Sequence, residues 1–158
     1  MLRDLFVLVF LLVGCFCIAG VGAIATSRGI RSGWYGSLSR PAWNPPDWVF
    51  GPVWTILYAT MAVAAWLVWR NGGFGRNAIP FAFFLVQLLL NGLWSWLFFH
   101  NHRPGWAVLE LTVLWLTITA TAWCFWLVSP AAGLLMLPYA AWVFFAGLLN
   151  LQIWRMNA

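Results

Sequence analysis

The chain has 158 residues, of which 64% are apolar, 19% are aromatic and only 7% are charged. A soluble domain carries roughly 25% charged residues, so this composition excludes a water-soluble protein and leaves no room for a separate soluble domain. All eight basic residues are arginines at the ends of apolar runs, so the net charge of +5 indicates contact with a lipid bilayer and no nucleic-acid partner.

Five apolar runs are each long enough to cross a bilayer, which takes about 20 residues. We predict an all-α integral membrane protein, one domain over 1–158, built as a single bundle of five transmembrane helices at residues 5–25, 48–69, 78–99, 105–128 and 131–154. The first run is longer than the apolar part of a signal peptide, so we predict that it is a helix of the mature protein. The short connections predict that consecutive helices are antiparallel neighbours.

Small residues mark the first run: Cys15, Ala19 and Ala23 recur every four residues, with Gly14, Gly20 and Gly22 nearby. Small side chains let another helix approach closely, so this stripe predicts a helix contact. The stripe and the third helix are both candidates for the interface of a homodimer. The one long connection, residues 26–47, is too polar to span a membrane. It contains too many aromatic residues for a linker that only joins two helices.

Five crossings put the two chain ends on opposite sides of the membrane. The side that holds the long connection and the C-terminus carries five arginines against three on the other side. The positive-inside tendency therefore predicts a cytoplasmic C-terminus. For a helical bundle the inner membrane is the default.

Placing a polar side chain inside the membrane costs free energy, so polar side chains within apolar runs need interaction partners. Glu110 is the one acidic residue well inside a run, and it fits either a proton carrier or a residue near the membrane interface. Gln87 and Asn91 stand four residues apart on the third helix. They fit either hydrogen bonds between helices or donors on a pocket wall.

Fourteen tryptophans exceed what interfacial belts use, and several lie deep in their runs, including Trp54, Trp115 and Trp142. Tryptophans at this depth could form the walls of a pocket, and such walls would suit a flat aromatic ligand. The segment His100-Asn101-His102 lies in a loop without metal-binding carboxylates, so no nuclease is predicted. Neither histidine lies in the middle of the membrane, so no haem site is predicted either. We expect no metal and no required cofactor. Hydrolase and nucleotide-binding motifs are absent from the sequence.

Several ordered motifs resemble the TspO/MBR family, also called translocator proteins or tryptophan-rich sensory proteins. The motifs are Trp34-Tyr35, then Arg40-Pro41-Ala42-Trp43-Asn44-Pro45-Pro46, then Gly51-Pro52-Val53-Trp54. The likeness continues through Gln87, Asn91 and Trp94, Gly105-Trp106-Ala107, Glu110, Ser129-Pro130, and Pro138-Tyr139 to Trp154-Arg155. It covers essentially the whole chain.

This resemblance implies a five-helix bundle, commonly dimeric, with a pocket under the long first loop as its lid. Family members bind porphyrins, notably protoporphyrin IX, and isoquinoline and benzodiazepine-type drugs. Some bacterial members promote light- and oxygen-dependent porphyrin breakdown, and roles in sensing and transport have been proposed. The implied partner is therefore a porphyrin or another flat hydrophobic molecule. The family also includes residents of the outer membrane.

Carried over residue by residue, the resemblance implies a ligand site formed by Tyr35, Trp43, Trp54, Asn91, Trp94, Tyr139, Trp142 and Ala146. Trp54 and Trp142 match the tryptophans linked to porphyrin breakdown, where an electron-rich indole can donate an electron to the excited ring or trap reactive oxygen. The cholesterol motif of animal relatives is absent, because Leu151 stands where that motif requires a tyrosine.

Two other functions stay open at this stage. One is a proton-coupled exporter of hydrophobic compounds in which Glu110 carries the proton. The other is a structural subunit of a larger membrane complex, which would have no affinity for small molecules.

Overall fold

The computed structural model describes residues 2–158, and its long elements are all helices. Five of them are long and apolar enough to cross a membrane: α1 (Leu2–Arg31), α3 (Asp47–Arg70), α5 (Ala78–Ser95), α6 (Pro104–Val128) and α7 (Pro130–Asn157). Two short helices, α2 (Trp34–Ser37) and α4 (Gly73–Arg76), lie in the first and second connections. The predicted all-α membrane bundle of five spanning helices is therefore confirmed.

The first helix is longer than predicted. It continues past Ala25 to Arg31, because no proline interrupts it, and it ends before Gly33, whose φ is 77°. The predicted connection 26–47 is consequently helical over its first third. Helix α3 follows Pro46, whereas α6 and α7 begin with Pro104 and Pro130. Proline suits the first turn of a helix.

The five long helices form a closed ring. Contacts join α1 to α3, α3 to α7, α7 to α6, α6 to α5, and α5 back to α1. The expectation that consecutive helices are neighbours is therefore wrong for α3 and α5. The segment that contains α4 leads from the end of α3 to the start of α5, and α1 stands between these two helices in the ring. Helix α5 packs on α1 through small residues: a Cβ on Gly22 would lie 3.1 Å from Oγ of Ser95.

A π-helical turn, Trp96–His100, extends α5 toward the next connection. Its backbone comes so close to α1 that a Cβ on Gly29 would lie 2.6 Å from the carbonyl oxygen of Phe99, so only glycine fits there. This turn carries Phe98 and Phe99, both buried, toward the interior of the ring.

The interior of the ring differs between its two ends. The end near Arg70 is filled by apolar side chains, among them Met61, Val68, Phe84, Ile118 and Phe125, none of them more than 4% exposed. The end that carries the first connection and the end of α7 is not filled. That end holds the cavity described next.

Candidate functional site: an aromatic cavity under the first connection

A cavity of about 430 Å³ opens between α1, α3, α5 and α7. Pockets for small-molecule ligands typically measure about 300–1,000 Å³, so its size suits one such ligand. The wall is mainly apolar and aromatic, and its large side chains are Phe16, Ile30, Tyr35, Phe50, Trp54, Tyr58, Trp94, Phe98, Phe99, Leu149 and Ile153. Helix α6 contributes no residue to the wall.

Two tryptophans form the inner part of the aromatic wall. The ring centroids of Trp54 and Trp94 lie 6.4 Å apart with 32° between their planes. Trp94 is also stacked on Phe98, with the centroids 6.0 Å apart. The indole N–H of Trp94 is buried without a hydrogen-bond partner among residues 2–158.

A chain of hydrogen bonds between side chains closes the inner end of the cavity. The Tyr58 hydroxyl donates to Oδ1 of Asn91, whose Nδ2 donates to the Tyr139 hydroxyl over 2.8 Å. That hydroxyl donates in turn to Oε1 of Gln87 over 2.9 Å, and the Gln87 amide donates to the sulfur of Met61 over 3.9 Å. The network joins α3, α5 and α7, so Asn91 is both a wall residue and an interhelical contact, while Gln87 is only the latter.

The first connection lies next to the cavity. Tyr35 is buried at 7% exposure and lines the wall, and the Arg40 guanidinium lies over its ring at 4.8 Å. Arg40 also forms an ion pair with Asp47 over 3.3 Å. A reciprocal pair of hydrogen bonds attaches this segment to the end of α7: the Ser39 N–H donates to Oδ1 of Asn157, and Nδ2 of Asn157 donates to the Ser39 carbonyl.

Of the eight predicted ligand-binding residues, the cavity wall brings together Tyr35, Trp54, Asn91, Trp94 and Ala146. The other three lie behind or outside it. Trp43 is 49% exposed and packs edge-on against Phe145, with the centroids 5.8 Å apart. Tyr139 is fully buried beneath the wall, where its hydroxyl bonds Asn91.

The two tryptophans linked to porphyrin breakdown occupy different positions. Trp54 lines the cavity. Trp142 lies behind the wall residue Phe50, whose ring centroid is 5.9 Å from that of Trp142, and its indole N–H is buried without a hydrogen-bond partner in the described chain. Trp142 thus reaches the cavity only through another aromatic ring.

Sequence reasoning missed the wall formed by α1. Phe16, Ala19, Ala23 and Thr26 line the cavity along one face of this helix. The signal was present as the stripe of small residues, which we interpreted as a helix contact. In the structure that interpretation holds for Gly22, while Ala19 and Ala23 leave open the space that the cavity occupies.

Glu110 lies in the second turn of α6, away from the cavity wall. It is only 7% exposed, and neither carboxyl oxygen has a hydrogen-bond partner within residues 2–158. Its helix packs on α7 and α5, and Asn150 of α7 donates to the carbonyl of Pro104 at the start of α6 over 2.9 Å. The carboxyl group is therefore held inside the bundle behind the residues that face the ligand space.

Known proteins resemble this chain over most of its length. The TspO/MBR family profile matches residues 6–155. The translocator protein of Homo sapiens is 40% identical over 148 residues, which is 92% of this chain and 84% of that protein. Protein CrtK of Rhodobacter capsulatus is 39% identical over 148 residues, with 92% and 89% covered. The tryptophan-rich sensory protein of Cereibacter sphaeroides is 39% identical over 142 residues, with 89% and 88% covered. The five spanning helices are consistent with these matches, and the chain belongs to the TspO/MBR family.

Proposed function

We propose that this protein binds a tetrapyrrole, with protoporphyrin IX as the reference ligand, in the cavity between α1, α3, α5 and α7. The observation that carries the proposal is the pairing of Trp54 and Trp94 as adjacent aromatic faces on the cavity wall. Flat conjugated rings stack favourably on such faces, and burial of their apolar surface adds to the binding free energy. Isoquinoline and benzodiazepine-type compounds are flat aromatic molecules as well and are expected to compete for the same space.

A titration of the purified protein with protoporphyrin IX tests this proposal. Binding brings the macrocycle against the indoles and is expected to quench tryptophan fluorescence saturably at one ligand per chain. Trp94→Ala removes one face and should weaken binding by roughly tenfold, in line with about 1–3 kcal/mol per stacked aromatic base. Trp123→Ala is the matched control, because Trp123 is 63% exposed on the outside of α6. Equal affinities of the two variants would contradict the proposed site.

We further propose that bound porphyrin can be broken down in light and oxygen. The Trp54 indole would donate one electron to the excited ring, leaving an indole radical cation and a porphyrin radical anion. Molecular oxygen would add to a methine carbon of that anion, and return of one electron to the indole would leave a neutral dioxetane, whose O–O and C–C bonds break to open the ring as two carbonyl groups. The indole is regenerated, and the net change is the addition of one oxygen molecule to one porphyrin. This step needs no metal and no general base. Trp54 is in a position to contact the ligand directly, whereas Phe50 separates Trp142 from the cavity.

A second candidate function is proton-coupled export of hydrophobic compounds. The observation that favours it is the buried carboxyl group of Glu110, both oxygens of which have no hydrogen-bond partner among residues 2–158. A carboxyl group in such a place is costly when charged and is suited to take up and release a proton. Flux of a hydrophobic dye from sealed liposomes, driven by a pH gradient and abolished by Glu110→Gln, would support export. Flux that is independent of the gradient would contradict it.

A further inference from the structure

A second groove lies at the opposite end of the bundle from the cavity. It has a volume of about 580 Å³ and is lined by Arg3, Asp4, Trp69, Arg70, Gly72 and Gly73. The groove uses the first residues of α1 and the last residues of α3, whereas the cavity uses the end of α1 and the start of α3. The two sites therefore face opposite surfaces of the membrane.

Two arginine side chains of this groove place their guanidinium groups over tryptophan rings. The Arg3 guanidinium lies 5.3 Å from the centroid of Trp69, and the Arg70 guanidinium lies 4.9 Å from that of Trp66. The indole N–H of Trp66 donates to the backbone carbonyl of Asp4 over 3.1 Å, which ties the start of α1 to the end of α3. Stacking orders a guanidinium through its face and leaves its N–H edge available to an anion.

A third arginine, Arg76, contacts a residue of the groove. The aliphatic part of Arg76 covers Gly72 so closely that a Cβ on Gly72 would lie 2.7 Å from its Cδ. Gly72 and Gly73 have φ values of 135° and 71°, which favour glycine, so the turn that they form keeps the floor of the groove free of side chains. The aliphatic stem of Arg76 therefore packs on the same turn that lines the groove.

The charges at this end are unbalanced. The arginines Arg3, Arg70 and Arg76 are positive, and the Asp4 carboxylate, which interacts electrostatically with Arg70, is negative. The excess of guanidinium groups favours an anion. Guanidinium forks match the oxygens of a phosphate particularly well.

The surroundings of the groove indicate where that phosphate comes from. Leu2, Leu5 and Phe6, next to Arg3 on α1, are 82%, 58% and 71% exposed. Such side chains suit acyl chains and would be poorly placed in water. We propose that the groove binds the phosphate of an anionic phospholipid, with its acyl chains along the start of α1.

Native mass spectrometry of the full chain, after incubation with equal amounts of phosphatidylglycerol and phosphatidylcholine, tests this proposal. The wild-type protein should retain phosphatidylglycerol in preference. Arg3→Gln combined with Arg70→Gln should reduce that preference about 25-fold, since each arginine near anionic lipid contributes about fivefold. The control is Arg31→Gln with Arg155→Gln, which removes two exposed charges at the other end and should keep the preference.

Three results would overturn the proposal. The first is an unchanged preference in the Arg3/Arg70 variant, and the second is an equal loss in the Arg31/Arg155 control, which would indicate diffuse attraction. The third is displacement of phosphatidylglycerol by millimolar inorganic phosphate, which would assign the groove to a soluble anion. If the double variant does not fold, Arg3→Gln alone, a change at an exposed position, should lower the preference about fivefold, and no change would also overturn the proposal.

Discussion

The phenol ring of Tyr139 lies directly behind the Trp54 indole, with the ring centroids 6.2 Å apart and the planes at 66°. Tyr139 is fully buried, and its hydroxyl accepts from Asn91 and donates to Gln87. The position of a cavity tryptophan is thus supported by a hydrogen-bonded residue that does not itself reach the cavity. This arrangement couples the wall to the polar network across three helices.

Tyr139→Phe should destabilise the bundle while it keeps the aromatic contact with Trp54. The change leaves Nδ2 of Asn91 and Oε1 of Gln87 buried without their partner, which costs about 1–3 kcal/mol. Thermal unfolding in detergent measures the loss. Thr112→Val is the control, because its hydroxyl bonds only the carbonyl of Val108 on an exposed helix face. An unchanged midpoint for Tyr139→Phe would show that the network contributes nothing to stability.

Ala146→Phe should block the cavity without changing the fold. Ala146 is buried on the cavity wall, so a phenyl group there would occupy ligand space. We expect affinity for protoporphyrin IX to fall at least roughly tenfold, or about 1.4 kcal/mol. The neighbour Gly147 provides the control, since a Cβ there meets no atom within 4 Å, and Gly147→Leu should bind like wild type. The measurement is the fluorescence titration. Retained affinity in Ala146→Phe would place the ligand elsewhere.

Trp54→Phe should slow the bleaching of bound porphyrin more than Trp142→Phe does. Trp54 lines the cavity, and Phe50 lies between Trp142 and the ligand space. Bleaching is followed by absorbance under constant illumination, at saturating protein so that binding does not limit the rate. An anaerobic sample supplies the control without oxidant. A larger effect at Trp142 would mean that the electron donor does not need contact with the ligand.

Asn157→Ala should speed both the entry and the release of the ligand. The Asn157 amide is the group that both donates to and accepts from the Ser39 backbone, and so attaches the first connection to the end of α7. Loss of two exposed hydrogen bonds should loosen the predicted lid, with each rate rising severalfold and little change in equilibrium affinity. Stopped-flow fluorescence separates the two rates. Met156→Ala, a change at an exposed neighbour, should leave both unchanged. A change in affinity alone would contradict a covering role.

Local properties of the sequence were enough to predict the long helices and their location in a lipid bilayer. Hydropathy runs of about 20 residues give spanning helices wherever they stand, because the bilayer requires backbone groups to bond within the helix. The likeness of ordered motifs also singled out Tyr35, Trp54, Asn91, Trp94 and Ala146, and the structure brings these five residues together on one cavity wall. That they bind a ligand stays a prediction.

Only the tertiary structure decided how the helices are arranged. The order α1, α3, α7, α6, α5 around the ring depends on where small residues such as Gly22 meet a partner across the bundle, and no local pattern records that partner. The same reason explains why Ala19 and Ala23 border empty space, and why Trp142 lies behind Phe50. Composition and periodicity determined that the chain spans a membrane as helices, and long-range packing determined which of its aromatic side chains surround a cavity.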